Sequence, residues 1–157
     1  MGLVISESPY FTIEDFAVSG EHPDLVQPVP DMLRKSVERL VRGCLHPLRV
    51  ALGRSMRVLS GYRSPTLNQA VGGSPTSQHV FAQASDIACR DPGELFKLAW
   101  DKRAEIDAGQ IIYYPLRGFV HFATKSAKHP KPMFYVSRGP KQYTQVDTDA
   151  EIEAAIG

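Results

Sequence analysis

Three residues of types that bind metal ions stand in the middle of the chain. His79 and Asp86 lie seven residues apart in the stretch SGYRSPTLNQAVGGSPTSQHVFAQASD, and His121 follows inside the apolar run GFVHFA. Two imidazoles and one carboxylate form a common ligand set for a catalytic zinc ion, with a fourth position left to water. Each residue alone would more often have a structural role, so the prediction of a zinc site depends on the three together.

One loop and two strands are predicted to position these residues. His79 lies in a loop at 74–83, and ASDIAC at 84–89 alternates as a strand that carries Asp86. QIIYY at 110–114 and FVHFA at 119–123 predict an antiparallel hairpin with His121 in its second strand. If the strands are neighbours, all three side chains point into one cleft.

Helices and further strands are predicted around this region. The first long helix has an apolar stripe at helical spacing, and Gly43 and Pro47 predict a kink or break in it. Strands are also predicted at 56–60 and 133–136, a helical turn at 12–16, and further helices beginning near Pro65, after a cap at Asp91 and after a cap at Asp149.

The composition is that of an ordinary globular domain. The chain has 157 residues, 43% hydrophobic and 22% charged, with a net charge of +1. We expect one domain over 1–157, with an irregular N-terminal segment at 1–30 and a peripheral C-terminal tail at 137–157. The small net charge argues against nucleic acid or an anionic membrane as a partner. The start, MGLVISESPYF, lacks a cationic region and a long apolar core, so no secretory signal is expected.

The motif around the candidate ligands resembles a known family. The pattern S-x-Y-R-S-x-x-x-N-x-x-V-G-G-x-x-x-S-x-H-x-x-x-x-A-x-D, followed by F-V-H-F, is similar to the zinc DD-peptidase family, metallopeptidase family M15. That family includes D-alanyl-D-alanine carboxypeptidases and phage peptidoglycan hydrolases. The resemblance covers most of the chain. It implies an α+β, Hedgehog/DD-peptidase-like fold, in which a small antiparallel sheet of about four strands forms a zinc cleft and helices pack on its opposite face.

The resemblance also implies roles for individual residues. His79, Asp86 and His121 match the ligands of Zn²⁺. Arg63 matches an arginine that faces the substrate and the polarised carbonyl oxygen, and its planar fork of donors suits a carboxylate or an oxyanion. A salt bridge to a nearby acid is the alternative for Arg63. Ser77 matches a serine that shapes the site through a hydrogen bond. Positions that match structural residues of the family are Asn68, Gly72 and Gly73.

Two positions depart from the family pattern. Ala82 replaces a glycine, which is tolerable where the backbone φ angle is negative. The family's general base, a glutamate shortly before the last histidine, is missing, because no Asp or Glu lies between Asp107 and His121. Tyr114 stands near the expected place. It can donate a proton or stabilise an oxyanion, but with an ordinary pKa of about 10 it is a poor base.

Several alternatives for the base remain open. Tyr114 is otherwise a packed or half-exposed aromatic residue of the hairpin. Asp107, Glu105 or a histidine from elsewhere in the chain would then supply the base, or the metal-bound hydroxide would act more slowly with less help. His129 lies in the basic turn KHPKP, where we expect it to be exposed.

The leading hypothesis is a zinc-dependent peptidoglycan peptidase. It would cleave a peptide bond of the cell-wall stem peptide, as a D-Ala-D-Ala carboxypeptidase or an endolysin-type endopeptidase. The alternative is a catalytically silent zinc module that binds the wall or belongs to a phage particle, since a hydrolase needs a group to transfer protons. We expect a monomer made in the cytoplasm and released to the wall from a phage or prophage.

Overall fold

The structure, a computed structural model, describes residues 3–5 and 8–157. The strands are β1 Val4–Ile5, β2 Ser8–Thr12, β3 Arg57–Ser60, β4 Ala84–Ala88, β5 Gln110–Tyr114, β6 Phe119–Ala123, β7 Met133–Gly139 and β8 Gln142–Val146. The α-helices are α1 Arg34–Leu40, α2 His46–Leu52, α3 Pro65–Ala70, α4 Pro92–Asp101 and α5 Asp149–Ile156. Short 3₁₀ turns lie at Ile13–Phe16, Pro23–Leu25, Asp31–Leu33 and Gln78–Phe81.

Six strands form the main sheet, in the order β3-β4-β6-β5-β7-β8, and β1 pairs with β2 in a separate ribbon. The predicted α+β fold class is confirmed. The sheet is larger than the expected four or so strands, and it is not wholly antiparallel because β5 and β7 run parallel. Strand β8 escaped prediction because its first four residues are exposed and carry no apolar alternation.

The two faces of the main sheet differ in what they contact. One face packs on the helices through side chains that are at most 1% exposed, among them Ile87, Val120, Ile111 and Phe134. Phe96 of α4 meets Phe134 edge-on, with 5.7 Å between ring centroids. The other face lines an open cleft. Register places Asp86 opposite His121, and His121 opposite Ile112, so this face presents one row of side chains across three strands.

The predicted interruption of the first helix takes the form of a π-helical turn at Val41–Leu45 between α1 and α2. Its glycine is needed because a Cβ atom on Gly43 would lie 2.8 Å from Cβ of Asp107. The Asp107 amide donates to the Gly43 carbonyl at 2.8 Å. The π-helical turn therefore lets the segment that contains Asp107 pack closely against it. The apolar stripe of the helix, including Val37, Leu40 and Leu48, stays fully buried.

The N-terminal segment, expected to be irregular over 1–30, contains the β1–β2 ribbon and the 3₁₀ turn at Ile13–Phe16. The side chains of Phe11, Ile13 and Phe16 are at most 5% exposed. The Phe16 carbonyl accepts a hydrogen bond from the Tyr62 amide at 2.8 Å. This segment therefore packs into the core and supports the turn that follows β3.

The C-terminal tail, expected to be peripheral over 137–157, contributes β8 and α5. Ile152 is 1% exposed, and the Trp100 indole donates to the Asp149 carboxylate at 2.7 Å. The cap of α5 is Thr148 rather than Asp149, because the Thr148 hydroxyl accepts from the Glu151 amide. Among the described residues, no helix has both the length and the apolar character needed to cross a bilayer.

Replacing Gly61 by alanine should destabilise the fold. A Cβ atom there would lie 2.5 Å from the Phe16 carbonyl oxygen and 2.8 Å from its Cα, both backbone atoms that cannot rotate away. We expect the free energy of unfolding, measured by urea titration, to fall by about 3 kcal/mol. Gly20→Ala is the matched control, because no atom lies within 4 Å of its Cβ position. Equal stability of the two variants would contradict the close packing described here.

Candidate metal centre

His79, Asp86 and His121 converge at the floor of the cleft. Asp86 and His121 are paired residues of the neighbouring strands β4 and β6, and His79 lies in the 3₁₀ turn at Gln78–Phe81. One ligand atom from each residue lies within 4.8 Å of the other two. His79 is 3% exposed and Asp86 8%. The sequence prediction that these three residues meet is in agreement with the structure.

The turn between β3 and α3 holds both the ring and the backbone of His79. Its Nδ1 atom lies 2.7 Å from the Gly61 carbonyl oxygen, and the Arg63 amide donates to the His79 carbonyl at 3.0 Å. A carbonyl only accepts, so Nδ1 carries the proton. Nε2 then has a free lone pair, directed at Asp86 Oδ1 at 3.5 Å. A hydrogen bond from Nδ1 to a backbone carbonyl fixes the tautomer and leaves the other ring nitrogen ready to bind a metal.

The Asp86 carboxylate is the shared partner of the group. Its Oδ1 lies 2.8 Å from Nδ1 of His121, and its Oδ2 lies 3.7 Å from Nη2 of Arg63. Burial raises the pKa of this carboxyl, but the two imidazoles outweigh burial through charge and hydrogen bonding and bring the pKa well below its usual range. Asp86 is therefore ionised at neutral pH.

The donor set fits a zinc ion. The lone pair of His79 Nε2 and the Asp86 oxygen face each other at 3.5 Å, and two buried acceptors need a proton or a cation between them. Burial lowers the pKa of His79, which disfavours the proton. A tetrahedral zinc ion with bonds of about 2.1 Å places its donors about 3.4 Å apart, close to the spacing found here.

Arg63 lies beside the group and lines the cleft. Its guanidinium contacts the Ser60 hydroxyl at 3.3 Å and the Asn68 side-chain oxygen at 3.5 Å. The salt bridge foreseen as its alternative role is also present, with Asp86. The Asn68 oxygen that contacts Arg63 packs closely on Gly73. A Cβ atom on Gly73 would lie 2.1 Å from this oxygen, so a side chain there would displace Asn68. Arg63 is thus held in place with part of its donor fork facing the cleft.

Ser77 and Ala82 lie in the same loop as His79, and the sequence pattern singled out both residues. Ser77 lines the cleft and caps the 3₁₀ turn, its hydroxyl accepting from the His79 amide at 3.3 Å. Ala82 has φ +55°, in the left-handed region, so the condition of a negative φ is not met. Alanine costs about 1–2 kcal/mol there relative to an ordinary conformation. Its amide contacts the His79 carbonyl at 3.2 Å, which closes the turn.

Tyr114 lines the cleft but is not suited to act as a base. Its ring stacks on Phe119, with 4.6 Å between centroids. Burial, together with the neighbouring Tyr143 hydroxyl, raises the pKa of Tyr114 well above its ordinary value. At neutral pH the Tyr114 hydroxyl therefore stays protonated and serves as a donor.

The two carboxylates considered as replacement bases lie elsewhere. Asp107 forms a two-point ion pair with Arg39, at 2.7 and 3.1 Å, and accepts from the Lys125 amide at 3.3 Å. Glu105 is exposed, with Lys102 3.5 Å away. Neither residue lines the cleft, and Asp86 is the one carboxylate that does so among the described residues.

Sequence reasoning missed several residues of the cleft. The cleft has a volume of about 970 Å³, and the unforeseen residues that line it are Arg117, Lys128, His129, Tyr135 and Tyr143. His129 was expected to be exposed but is half-buried. Its position eight residues after His121, in a turn that leaves the same strand, was the available signal.

His79→Ala should abolish stoichiometric zinc binding. The substitution removes the one ring whose free lone pair faces Asp86, and His79 is not part of the hydrophobic core cluster. Metal analysis of purified, zinc-exposed protein should give about one zinc per chain for the parent and a small fraction of that for the variant. His22→Ala, which removes an imidazole outside the group, is the control and should keep its zinc. Equal zinc content in His79→Ala would contradict the site.

Metal-free protein should lose stability on acidification below about pH 6.5, the ordinary histidine pKa. Because burial lowers the pKa of folded His79, the unfolded chain binds more protons in this window. The free energy of unfolding should then fall with pH by at most about 1.4 kcal/mol per pH unit for this group. Urea titrations in EDTA at about pH 7.5 and 5.5 measure the slope. His79→Gln should flatten it, and an unchanged slope would count against buried, neutral His79.

Comparison with known proteins agrees with this geometry. Residues 10–123 match the family model described as Peptidase M15. No curated protein matches the chain. The matched segment covers more than half of the chain and contains His79, Asp86 and His121. The chain therefore belongs to the Peptidase M15 family of zinc metallopeptidases.

Proposed function

We propose that this protein is a zinc-dependent peptidoglycan peptidase that hydrolyses a peptide bond of the cell-wall stem peptide. The observation that carries the proposal is the buried His79–Asp86–His121 group at the floor of an open cleft, in a chain of a metallopeptidase family. A cleft of about 970 Å³ has room for several residues of an extended peptide.

The charge of the cleft favours an anionic peptide. Arg63, Arg117 and Lys128 line it, against the carboxylate of Asp86, and Arg117 is also paired with Glu21 at 3.0 Å. A bound Zn²⁺ would add two further positive charges. Stem peptides carry free carboxylates, including the terminal carboxylate of D-Ala-D-Ala, so they match a positive, partly desolvated cleft.

Residues of the chain supply orientation and charge for the reaction. His79, Asp86 and His121 would hold the zinc ion, which when bound polarises a peptide carbonyl and lowers the pKa of a water molecule. The Arg63 guanidinium offers parallel donors to a carboxylate or to the oxyanion that develops from the carbonyl. The protonated hydroxyl of Tyr114, which also lines the cleft, offers a further donor.

Carboxypeptidase and endopeptidase activity remain two forms of the same proposal, since both use this site. We further propose that the protein acts on the wall as a monomer after release from a phage or prophage. Support for this setting comes from the resemblance to phage peptidoglycan hydrolases and from the proposed substrate.

A catalytically silent module is the second candidate. It is favoured by one specific observation, that Asp86 is the only carboxylate lining the cleft within the described part of the chain. A peptidase needs a group that accepts and returns a proton. Without one, the zinc group would serve to hold a wall peptide.

An assay on defined wall fragments separates the two candidates. Zinc-loaded protein should release D-Ala from a stem peptide ending in D-Ala-D-Ala, or cut within cross-linked muropeptides, as followed by mass spectrometry, and EDTA should stop the reaction. Binding of purified sacculi without cleavage of any fragment would support the silent module and reject the peptidase.

Arg63→Lys should lower kcat/KM by about 10²–10³-fold, because lysine loses the planar fork that stabilises the oxyanion. Arg57→Lys is the matched control, since Arg57 belongs to the same strand and loop region, is exposed and lies outside the cleft. Steady-state kinetics on the cleaved fragment, with zinc content measured for both variants, make the comparison. Equal activity of the two variants would contradict the role of Arg63.

A further inference from the structure

One imidazole of the cleft belongs neither to the metal group nor to the arginine that faces the substrate. We propose that His129 is the proton-transfer residue of this peptidase, in place of the absent carboxylate. The inference depends on the proposed function for its chemistry, and on the geometry of the 125–132 loop for its location.

The other candidates are used elsewhere. Asp86 is engaged by two imidazoles and by Arg63, and Tyr114 stays protonated. His46 contacts the Ser8 hydroxyl at 2.9 Å and stacks on Tyr10, away from the cleft. His129 is the remaining group lining the cleft, among the described residues, that can accept a proton near neutral pH.

The backbone of the loop fixes the position of His129. Its amide donates to the Ser126 hydroxyl at 3.1 Å, and its carbonyl accepts from the Ser126 amide at 3.1 Å. On the other side the loop touches Gly109, where a Cβ atom would lie 2.3 Å from the His129 carbonyl oxygen. The Gly109 carbonyl also accepts from the Met133 amide at 2.9 Å, where β7 begins. Hydrogen bonds therefore fix the 125–132 loop, and the loop packs against Gly109, the residue that precedes β5.

The His129 ring is available to a ligand. Within the described residues it forms no hydrogen bond, although the backbone of the residue forms two. Burial lowers the pKa of His129, and the positive charges of Lys128 and His121 lower it further. These are the charged groups that act on it. At neutral pH the imidazole of this cleft-lining residue is therefore uncharged and able to accept a proton.

The step assigned to His129 conserves atoms and charge. A water oxygen forms a bond to the peptide carbonyl carbon while one of its protons moves to the free ring nitrogen of His129. The C–N bond then breaks, and the imidazolium returns that proton to the departing nitrogen. One water molecule is consumed, a carboxylic acid and an amine are formed, and the imidazole is neutral again.

Kinetics of two substitutions test this role. His129→Gln and His129→Ala should lower kcat by about 10²–10³-fold, the usual size of a general-base contribution, with KM and zinc content unchanged. Added imidazole should restore part of the activity of His129→Ala but not of His129→Gln. His46→Gln is the control and should match the parent. A raised KM with kcat unchanged would assign His129 to substrate binding, and unchanged kinetics would remove it from the site; both results overturn the inference.

A second measurement does not depend on activity. Zinc loading should lower the pKa of His129, followed by NMR of ¹³C-labelled histidine in parent protein, because the new positive charge lies in the same cleft. His22, outside the cleft, should not respond. If the parent cleaves no stem peptide, the proposed function fails; a response of His129 then still supports its place facing the metal, and no response overturns it.

Discussion

An ionised carboxylate removed from water is the central constraint of this structure. Transfer of such a charge into a protein interior costs several kcal/mol unless partners compensate. Asp86 is 8% exposed, and its partners are two imidazoles and one guanidinium. The pair His79–Asp86 leaves two acceptors face to face, and a bound cation would complete the compensation. Metal binding and the stability of the cleft floor thus both depend on how the buried charge of Asp86 is compensated.

The three candidate ligands are held in position in two different ways. Asp86 and His121 are fixed by register alone, because paired residues of adjacent strands point to the same face. His79 comes from a turn, and a turn needs external support. That support runs from the Phe16 carbonyl to the Tyr62 amide, and from the Gly61 carbonyl to the His79 ring. The N-terminal segment is therefore part of the machinery that positions the first ligand.

Much of this could be predicted from local patterns. Alternation in ASDIAC and FVHFA predicted the strands that carry Asp86 and His121, and the motif around His79 supplied the third ligand. That the two strands are neighbours, a condition of the predicted cleft, is seen in the structure. Local patterns could not reveal β8, whose residues are mostly exposed, or the ribbon β1–β2, whose first strand has two residues. The left-handed Ala82 was missed because alanine seldom adopts that conformation. The half-burial of His129 depends on contact with Gly109, twenty residues earlier, and no spacing within KHPKP encodes it.

One face of β6 packs in the core and the other lines the cleft, and this separation has an evolutionary consequence. Val120 and Phe122 lie in the core, whereas Phe119 and His121 line or border the cleft. His121 is fixed by its place in the metal group, but exchanges at other cleft-lining positions leave the packed layer on the opposite face of the sheet untouched. A lineage of such chains can therefore drift in what it recognises, one wall residue at a time, without passing through unfolded intermediates.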